Sequence, residues 1–596
     1  MSHTDDNSAL YDYIVIGGGT SGAVLARRLA EAKENYDVCL LEAGPSEEAV
    51  FDSQIPGRNF AMMKSKYDWG YDTIPQKGCG DRILIAPRGR LLGGSSAMNG
   101  TLVCRGAKAD YDRIADLGNP GWNWNDMLPF FKISETFHPA DWYQADMSVH
   151  GTNGPLHTEP YFGAPISEKV LQSFIDQGYE YKPDMFAQGE FEGVGHATRT
   201  IHDGKRTTSA DFLHRSEKAN LNIRTQIFVD RIILEQISNT EHQPSYKAIA
   251  VESHDDVTGE SFIFKARKEI ILSAGAYNSP MVLMHSGIGC KKHLDEVNIE
   301  CKVNLPGVGN NLLDHPIVYT SYELCDPSLT FDQYVFHNAD RLDYYIREWH
   351  EKKSNYLGKF PFGPFALTRI DKTIQDPVWE HAKSLCENNK QSIIDPSGQL
   401  PNQPHIEMWS TEQYFGALRP QHTEENPIYP KKDEAAFTLI TLLCGALQRG
   451  TVRLASNRPT DKPVIDHAHL SNEIDLAVLT EGCRLAHEVL MNGSGTKDII
   501  CGPWPKSTSF PNDTAGWKEH VRANSGSCFH PGGTCKMAPA DDPMGVVDHR
   551  LRVRHVKNLR IADVSILPLL NSGHTQAPAY AIGEKAAHMI LQDANT

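Results

Sequence analysis

Two histidines, His530 and His574, occupy segments that could support proton transfer. His530 precedes Pro531 and two glycines, a composition typical of a fixed loop, and His574 lies further along in a Ser-Gly-His-Thr stretch before a predicted helix. An imidazole titrates near neutral pH and can therefore accept or release a proton under ordinary conditions. Because a single histidine is more often structural than catalytic, each alone is only a candidate.

A glycine-rich turn near the N-terminus could bind phosphate. Gly17, Gly19 and Gly22 directly follow a predicted buried strand at residues 13–16 and open a predicted helix at residues 21–33. Glycine allows the tight turn, the approach of backbone to a pyrophosphate, and close packing of helix on strand, with the phosphates at the positive helix end. The pattern predicts a dinucleotide site.

Glu42 ends a second predicted strand at residues 38–41. It lies about 20 residues past the last glycine, where a carboxylate can accept the ribose hydroxyls of an adenosine. Strand, glycines, helix and acid together strengthen the dinucleotide prediction. They leave open whether the cofactor is a nicotinamide or a flavin.

Bulk composition limits the partners of the chain. The 596 residues predict two domains or one very large domain, and a formal charge of −17 argues against nucleic acid and anionic membranes. We expect a cytoplasmic protein, because the sequence shows neither a signal peptide, a membrane-spanning run nor a peroxisomal C-terminal signal. The twelve cysteines form no recognisable framework, so we expect reduced thiols.

A second segment, residues 89–101, is dense in small residues whose backbone can lie against a flat cofactor. In order and context it resembles the first signature of the glucose-methanol-choline (GMC) flavoprotein oxidoreductases. Residues 275–289 resemble the second signature, and residues 306–315 and 558–565 are similar to later motifs of the family. Four ordered motifs together with the glycine turn make a chance match very improbable.

The resemblance implies FAD as the cofactor. Met98 stands where some relatives carry a histidine that bonds covalently to the flavin, so the FAD is expected to be held non-covalently. The residues carried over as cofactor-binding are Gly17, Gly19, Thr20, Ser21, Gly22, Glu42, Arg90, Gly94, Ser95, Asn99, Gly100, Thr101, Val229, Asp563, His574, Gln576 and Pro578.

The resemblance also implies the reaction, oxidation of an alcohol to an aldehyde or ketone by hydride transfer to flavin N5. His530 would be the base, and His574 would hold the hydroxyl and stabilise the developing alkoxide. His574-Thr575-Gln576 is closest to the aryl-alcohol oxidase and choline dehydrogenase branch, which favours a primary or benzylic alcohol. Gly100 replaces a tyrosine of aryl-alcohol oxidases, so we expect a wider pocket there. Phe529, next to the expected base, is predicted to shape the substrate pocket. His405, Glu407 and Trp409 alternate as one face of a strand, which would either line the pocket or face water, and His405 and Trp409 are the pocket residues predicted from it.

The expected fold is α/β (α+β overall): a Rossmann-like FAD-binding domain interleaved with a substrate domain built on an antiparallel sheet flanked by helices. Alternating runs at residues 436–443 and 451–454 predict strands of that sheet. The predicted segments are 8–160, 215–314 and 541–596 for the FAD-binding domain, 161–214 and 315–540 for the substrate-binding domain, and 46–82 for a lid loop.

Several alternatives stay open at this stage. The electron acceptor is O2 or a quinone-type compound, and the protein is a monomer or homodimer. A lyase of the same fold, similar to hydroxynitrile lyases and without net redox chemistry, is the main alternative function, and a non-enzymatic flavin-binding protein is a weaker one. No metal is predicted, because His467 and His469 show no third ligand nearby in the sequence.

Overall fold

Two β-sheets organise the computed structural model of the chain. The structure describes residues 10–214, 219–239, 244–336, 341–353, 355–389, 393, 395–416 and 429–594. The helices are α1 (Thr20–Ala30), α2 (Asn59–Met62), α3 (Lys108–Asp116), α4 (Trp124–Ser134), α5 (Pro165–Asp176), α6 (Met185–Gln188), α7 (Asp211–His214), α8 (Gly275–His285), α9 (Lys291–Glu296), α10 (Asp332–Val335), α11 (Leu342–Lys352), α12 (Pro377–Asn388), α13 (Glu473–Asn492), α14 (Thr514–Asn524) and α15 (Gln576–Ala594).

The strands contribute to seven sheets and ladders. They are β1 (Leu10–Ile16), β2 (Val38–Leu41), β3 (Tyr71–Asp72), β4 (Ile85–Ala86), β5 (Leu102–Val103), β6 (Glu135–Phe137), β7 (Leu156–Pro160), β8 (Gly193–Gly195), β9 (Thr198–Arg199), β10 (Ile201–His202), β11 (Lys205–Arg206), β12 (Leu221–Arg224), β13 (Ile227–Asn239), β14 (Pro244–Asp255), β15 (Ser261–Leu272), β16 (Ile288–Gly289), β17 (Val303–Asn304), β18 (Pro316–Leu324), β19 (Phe362–Thr368), β20 (Ile406–Thr411), β21 (Ala435–Leu443), β22 (Thr451–Arg453), β23 (Val464–Asp466), β24 (Ile500–Pro503), β25 (Ser525–Ser527), β26 (Val556–Lys557) and β27 (Leu559–Ile561).

The first sheet carries the glycine turn. Its strands run in the order β12-β2-β1-β15-β14-β13, with β27 beside β15 and β26 beside β14. β1 is parallel to β2 and β15, so α1 leaves the carboxyl edge of the sheet, as the sequence predicts. The helix is shorter than predicted: it ends at Ala30, and the chain turns through Asn35, which has a φ of 53°, before entering β2.

The second sheet is antiparallel, in the order β24-β18-β21-β20-β19-β8, with β25 beside β18. Strand β21 is buried along its whole length. Phe437 and Leu439 pack in the core with helix α13, whereas Ile440 and Leu442 point to the opposite face. The second predicted strand, β22, is present but pairs with β23 in a separate ladder. The expected α/β class and antiparallel substrate sheet are therefore confirmed.

One cysteine pair corrects the expectation of reduced thiols. Cys325 and Cys501 form a disulfide with a Cα–Cα distance of 5.5 Å. The sequence could not show this, because the two residues are 176 positions apart and meet only where β18 pairs with β24. The other ten cysteines are unbridged, and most are buried.

Residues 46–82, the predicted lid, contain four short 3-10 helices, α2 and β3. Asn59, Phe60 and Met63 of this segment contribute to the wall of the central cavity. Its movement as a lid, like the predicted domain boundaries, stays a prediction. Within the described part of the chain, no helix combines the length and apolar character needed to cross a bilayer.

Candidate active site

A cavity of about 510 Å³ lies between the glycine turn and the antiparallel sheet. Most of the residues predicted from the sequence contribute to its wall. These are Gly17, Gly19, Thr20, Ser21, Glu42, Arg90, Gly94, Ser95, Asn99, Gly100, Thr101, Val229, Trp409, Phe529, His530, Asp563, His574 and Gln576.

The glycine turn has the geometry of a phosphate-binding turn. Gly17 adopts a φ of 99°, and a Cβ there would lie 2.5 Å from the carbonyl oxygen of Ser273. A Cβ on Gly22 would lie 2.0 Å from the Gly17 oxygen, so larger residues would force helix and strand apart. The first turn of α1 carries neither a side-chain cap nor an acidic residue, which leaves its positive end suited to an anion.

Glu42 lies in the cavity wall with both carboxylate oxygens engaged. The backbone N–H of Gly18 donates to Oε2 and that of Gly44 to Oε1, each at 2.8 Å. Burial raises the pKa of Glu42 to about 7, against the lowering effect of these two hydrogen bonds. The side chain is therefore held rigidly beside the turn, where a carboxyl group can meet ribose hydroxyls.

The small-residue loop packs directly against the glycine turn. A Cβ on Gly94 would approach the Gly19 Cα to 2.7 Å, so the two loops form one continuous backbone surface. Asn99 donates to Gln576, whose own amide donates to the Leu102 carbonyl at 3.0 Å. These contacts tie the loop to the start of α15. The cavity wall therefore fits an extended dinucleotide lying over backbone.

Three predicted site residues lie outside the cavity wall. Gly22 lies where α1 packs against the turn after β1, and Pro578 is buried in the first turn of α15. His405 is a correction to the predicted substrate pocket. Its Nε2 lies 2.7 Å from Asp395, and its Nδ1 accepts the backbone N–H of Ile370, so the ring is held away from the cavity.

The two histidines predicted from the sequence meet in the cavity. His530 Nε2 lies 3.2 Å from His574 Nδ1, and the rings are nearly perpendicular. Burial lowers the pKa of His574 to about 3. Burial, reinforced by the nearby His574 and His315, also holds the pKa of His530 well below its ordinary value. Both rings are therefore neutral at physiological pH, and one can accept a proton while the other donates a hydrogen bond.

Two further residues extend this pair, and neither was assigned a role from the sequence. His315 Nδ1 lies 3.0 Å from His530 Nδ1, and Glu407 Oε2 lies 3.4 Å from His574 Nε2. The available signals were the Asp-His ending of residues 306–315 and the strand alternation of His405, Glu407 and Trp409. The alternation along a strand does not show which residues of other elements its buried side chains contact.

The loop before His530 is fixed by a buried carboxylate. Asp314 Oδ1 accepts the backbone N–H of His530 at 2.8 Å, and Oδ2 accepts the Ser527 hydroxyl. Oδ2 also lies 2.9 Å from His467 Nδ1 and 3.3 Å from His469 Nε2. These imidazoles hold the pKa of Asp314 well below its ordinary value despite complete burial. The third group missing from the His467 and His469 sequence pattern is thus Asp314.

The space beside the histidines is apolar and aromatic. Its wall includes Phe60, Phe360, Phe362, Trp409, Phe415 and Phe529. The Trp409 ring lies 5.4 Å from the His574 ring, centroid to centroid. Phe360 changes the expectation of a wider pocket at Gly100, because a Cβ there would lie 3.2 Å from its Cε1. The space gained by the glycine is occupied by this phenylalanine.

A dinucleotide-binding sheet, an antiparallel sheet and a neutral histidine pair between them define a redox enzyme of the flavoprotein type. The chain belongs to the GMC oxidoreductase family. The N-terminal model of that family matches residues 11–317 and the C-terminal model matches residues 446–583. The branch expected from the sequence is represented among the relatives.

The relatives match over nearly their whole length. The chain is 31% identical to a pyranose dehydrogenase of Agaricus campestris, covering 100% of this chain and 96% of the relative. It is 30% identical to an oxygen-dependent choline dehydrogenase of Brucella suis, covering 97% and 95%. Among solved structures, a formate oxidase of Aspergillus oryzae, studied for FAD modification, superposes with a TM-score of 0.88 at 28% identity, covering 99% and 100%.

Proposed function

We propose that the protein is an FAD-dependent oxidoreductase that converts an alcohol, primary or benzylic, to the corresponding aldehyde or ketone. The observation that carries this proposal is the 3.2 Å approach of His530 Nε2 to His574 Nδ1 in the wall of the cavity that also holds the glycine turn. The family and its alcohol-oxidising relatives support the same reaction class.

FAD, held by the turn, the small-residue loop and Gln576, supplies the hydride acceptor when bound. Met98 occupies the position of a covalently linking histidine in some relatives and cannot form that bond, which supports non-covalent attachment. Glu42 would accept the ribose hydroxyls, and the backbone of the turn would meet the diphosphate. The positions of Asp563 and Val229 in the cavity wall fit the cofactor-binding roles expected for them.

The histidine pair manages the proton and the oxygen of the substrate. A substrate hydroxyl that lies beside the pair, within reach of both nitrogens, donates to His530 Nε2, which takes the proton as the carbon is oxidised. His574 Nδ1–H donates to the same oxygen and stabilises its developing negative charge. With its ring hydrogen on Nδ1, which lies 3.0 Å from His315 Nδ1, His530 has Nε2 available as the acceptor. Positioned bases of this kind contribute about 10²–10⁴-fold to the rate.

The aromatic wall supports the choice of substrate. Trp409 lies against His574 and belongs to one apolar cluster with Phe360, Phe362 and Phe415 of the cavity wall. A flat or unbranched apolar group beside a CH–OH carbon fits such a space better than a densely hydroxylated sugar. A primary or benzylic alcohol is therefore the preferred substrate class.

The experiment uses purified protein loaded with FAD, mixed anaerobically with primary, benzylic and secondary alcohols. Bleaching of the visible flavin band by a benzylic or primary alcohol is the expected result. H530A should bind FAD and lose most of the bleaching rate, whereas H381A, on the exposed side of α12, serves as the matched control. Cleavage of a cyanohydrin without bleaching by any alcohol would replace the proposal with the lyase alternative.

The acceptor is decided by a second measurement. Mixing the reduced protein with oxygen in a stopped-flow instrument and, separately, with a soluble quinone gives two reoxidation rates. Fast reoxidation by oxygen would make the protein an oxidase, and reoxidation by the quinone alone would make it a dehydrogenase. The cytoplasmic location and the choice between monomer and homodimer stay predictions.

A further inference from the structure

Three histidines outside the active site come together on one surface. The burial pattern of β7 alternates, so that His157 and Glu159 face outward while their neighbours are buried. The backbone N–H of His138 donates to the Thr158 carbonyl, which places that residue beside the strand. His202 ends β10 on the same side, and none of the three histidines contributes to the catalytic cavity.

The three rings are close enough to share one ligand. His138 Nε2 lies 2.7 Å from His157 Nδ1, and the His138 and His202 rings stack with centroids 3.6 Å apart. One nitrogen from each ring can be chosen so that all three lie within 4.8 Å of one another. All three side chains are partly exposed, so an ion could reach them from solvent.

We propose that His138, His157 and His202 form a binding site for a divalent transition metal of the Zn²⁺, Ni²⁺ or Cu²⁺ class. Imidazole nitrogens are preferred ligands of these ions. A tetrahedral ion with ligand distances of about 2.0–2.1 Å places its nitrogens roughly 3.3 Å apart. The three rings lie within 16° of parallel, so binding requires that these partly exposed rings rotate out of the stack until their nitrogens point at one ion.

Carboxylates next to the cluster complete the donor set. Glu159 Oε2 lies 3.3 Å from His202 Nδ1, and Asp203 Oδ2 lies 3.4 Å from His202 Nε2. Either oxygen, or a water, can take the fourth position of a tetrahedral site.

The cluster of Asp314, His467 and His469 is a poorer candidate for a metal site. Around Asp314, the carboxylate is committed to His530 and Ser527, and His467 Nε2 lies 2.7 Å from the Tyr277 hydroxyl. That cluster is fully buried and uses its polar atoms to fix the catalytic loop. The outward-facing cluster has access to solvent and is the better metal site.

The test titrates the FAD-loaded protein with ZnCl₂ by isothermal calorimetry, after dialysis against a chelator. Wild-type protein and H381A are expected to bind one Zn²⁺ tightly, and H138A and H202A at least tenfold more weakly. Titration with Co²⁺ gives a second readout, because a tetrahedral nitrogen-rich site develops visible absorption that the two variants should lack.

Equal affinity in wild type, H138A and H202A would overturn the proposal, since the ion would then bind elsewhere. Absence of tight binding by the wild-type protein would also overturn it. H202N provides a variant of similar volume and polarity if H202A fails to fold, and circular dichroism of each variant establishes that a lost site is not a lost fold.

Discussion

Glu407 Oε2 lies 3.4 Å from His574 Nε2, and neither carboxyl oxygen of Glu407 makes a hydrogen bond among the described residues. Burial raises the pKa of Glu407 to about 8. The protonated acid can donate to His574 Nε2, which leaves the ring hydrogen on Nδ1, facing His530. In this tautomer His574 is the donor of the pair and His530 is the acceptor.

The first prediction concerns the pH dependence of turnover. As the pH rises through about 8, ionised Glu407 becomes an acceptor and draws the ring hydrogen of His574 to Nε2, so turnover should fall. E407Q keeps a donor toward His574, and it should retain most of the neutral-pH rate while losing this alkaline decline. E407L should lower kcat by about 10–100-fold, the scale found when the hydrogen-bond partner of a functional imidazole is removed.

The measurement is kcat against pH for the wild type and both variants, with FAD content determined for each. The thiols of Cys104, Cys444 and Cys528 lie near Glu407, and burial raises the pKa of each far enough to keep it from titrating in this range. An alkaline decline that persists unchanged in E407Q would assign it to another group and remove Glu407 from the account.

The second prediction concerns stability. The pKa of Glu407 is about 8 in the folded protein and near 4.5 when the side chain is exposed by unfolding. Between these pH values Glu407 is protonated in the folded state and ionised in the unfolded state. The free energy of unfolding should therefore fall as pH rises through this window, by up to about 1.4 kcal/mol per pH unit. In urea unfolding, the free energy of unfolding of E407Q should rise relative to that of the wild type from pH 5 to pH 8. Parallel curves would mean that Glu407 is not protonated in the folded state.

The sequence predicts those parts of the site that are local in the chain. The strand, glycines and helix from β1 to α1 are contiguous, and each active-site histidine lies in a short recognisable motif. The contact between Glu407 and His574 joins strand β20 of the antiparallel sheet to the loop before α15, and only the folded sheet brings the two residues together. The Cys325–Cys501 disulfide and the loss of His405 from the pocket have the same cause.

The third prediction concerns the width of the substrate space. Phe360 occupies the region opened by Gly100, so F360L should enlarge it and favour alcohols with bulkier ring substituents. We expect the ratio of kcat/KM for a bulky over a small benzylic alcohol to rise about tenfold, a change typical of one or two carbon atoms in an apolar pocket. F212L is the matched control, because Phe212 is equally buried but packs against Tyr580 away from the cavity wall. An unchanged ratio in F360L would show that Phe360 does not limit the substrate.

The fourth prediction concerns the carboxylate of Asp314, which holds the loop that carries His530. D314A removes the acceptor of the His530 backbone N–H and leaves His467 and His469 facing a cavity, so it should lower the free energy of unfolding by about 3–5 kcal/mol. D314N keeps the shape of the side chain and one oxygen that can accept the His530 N–H, so its free energy of unfolding should fall by less. The pKa of Asp314 is lower in the folded protein than in the unfolded chain. Its contribution to the free energy of unfolding is therefore fully present above the ordinary carboxyl pKa, and it is lost as the pH falls toward the pKa of the folded state.

Urea unfolding at neutral pH, with turnover measured on the folded fraction, tests this role. If Asp314 positions His530, D314N should lower kcat with little change in KM, since the substrate still meets the same apolar wall. D395N is the matched control, because Asp395 also bonds a buried histidine, His405, but outside the cavity. A D314N protein with the wild-type kcat would show that the loop holds His530 without the carboxylate, and that Asp314 acts on stability alone.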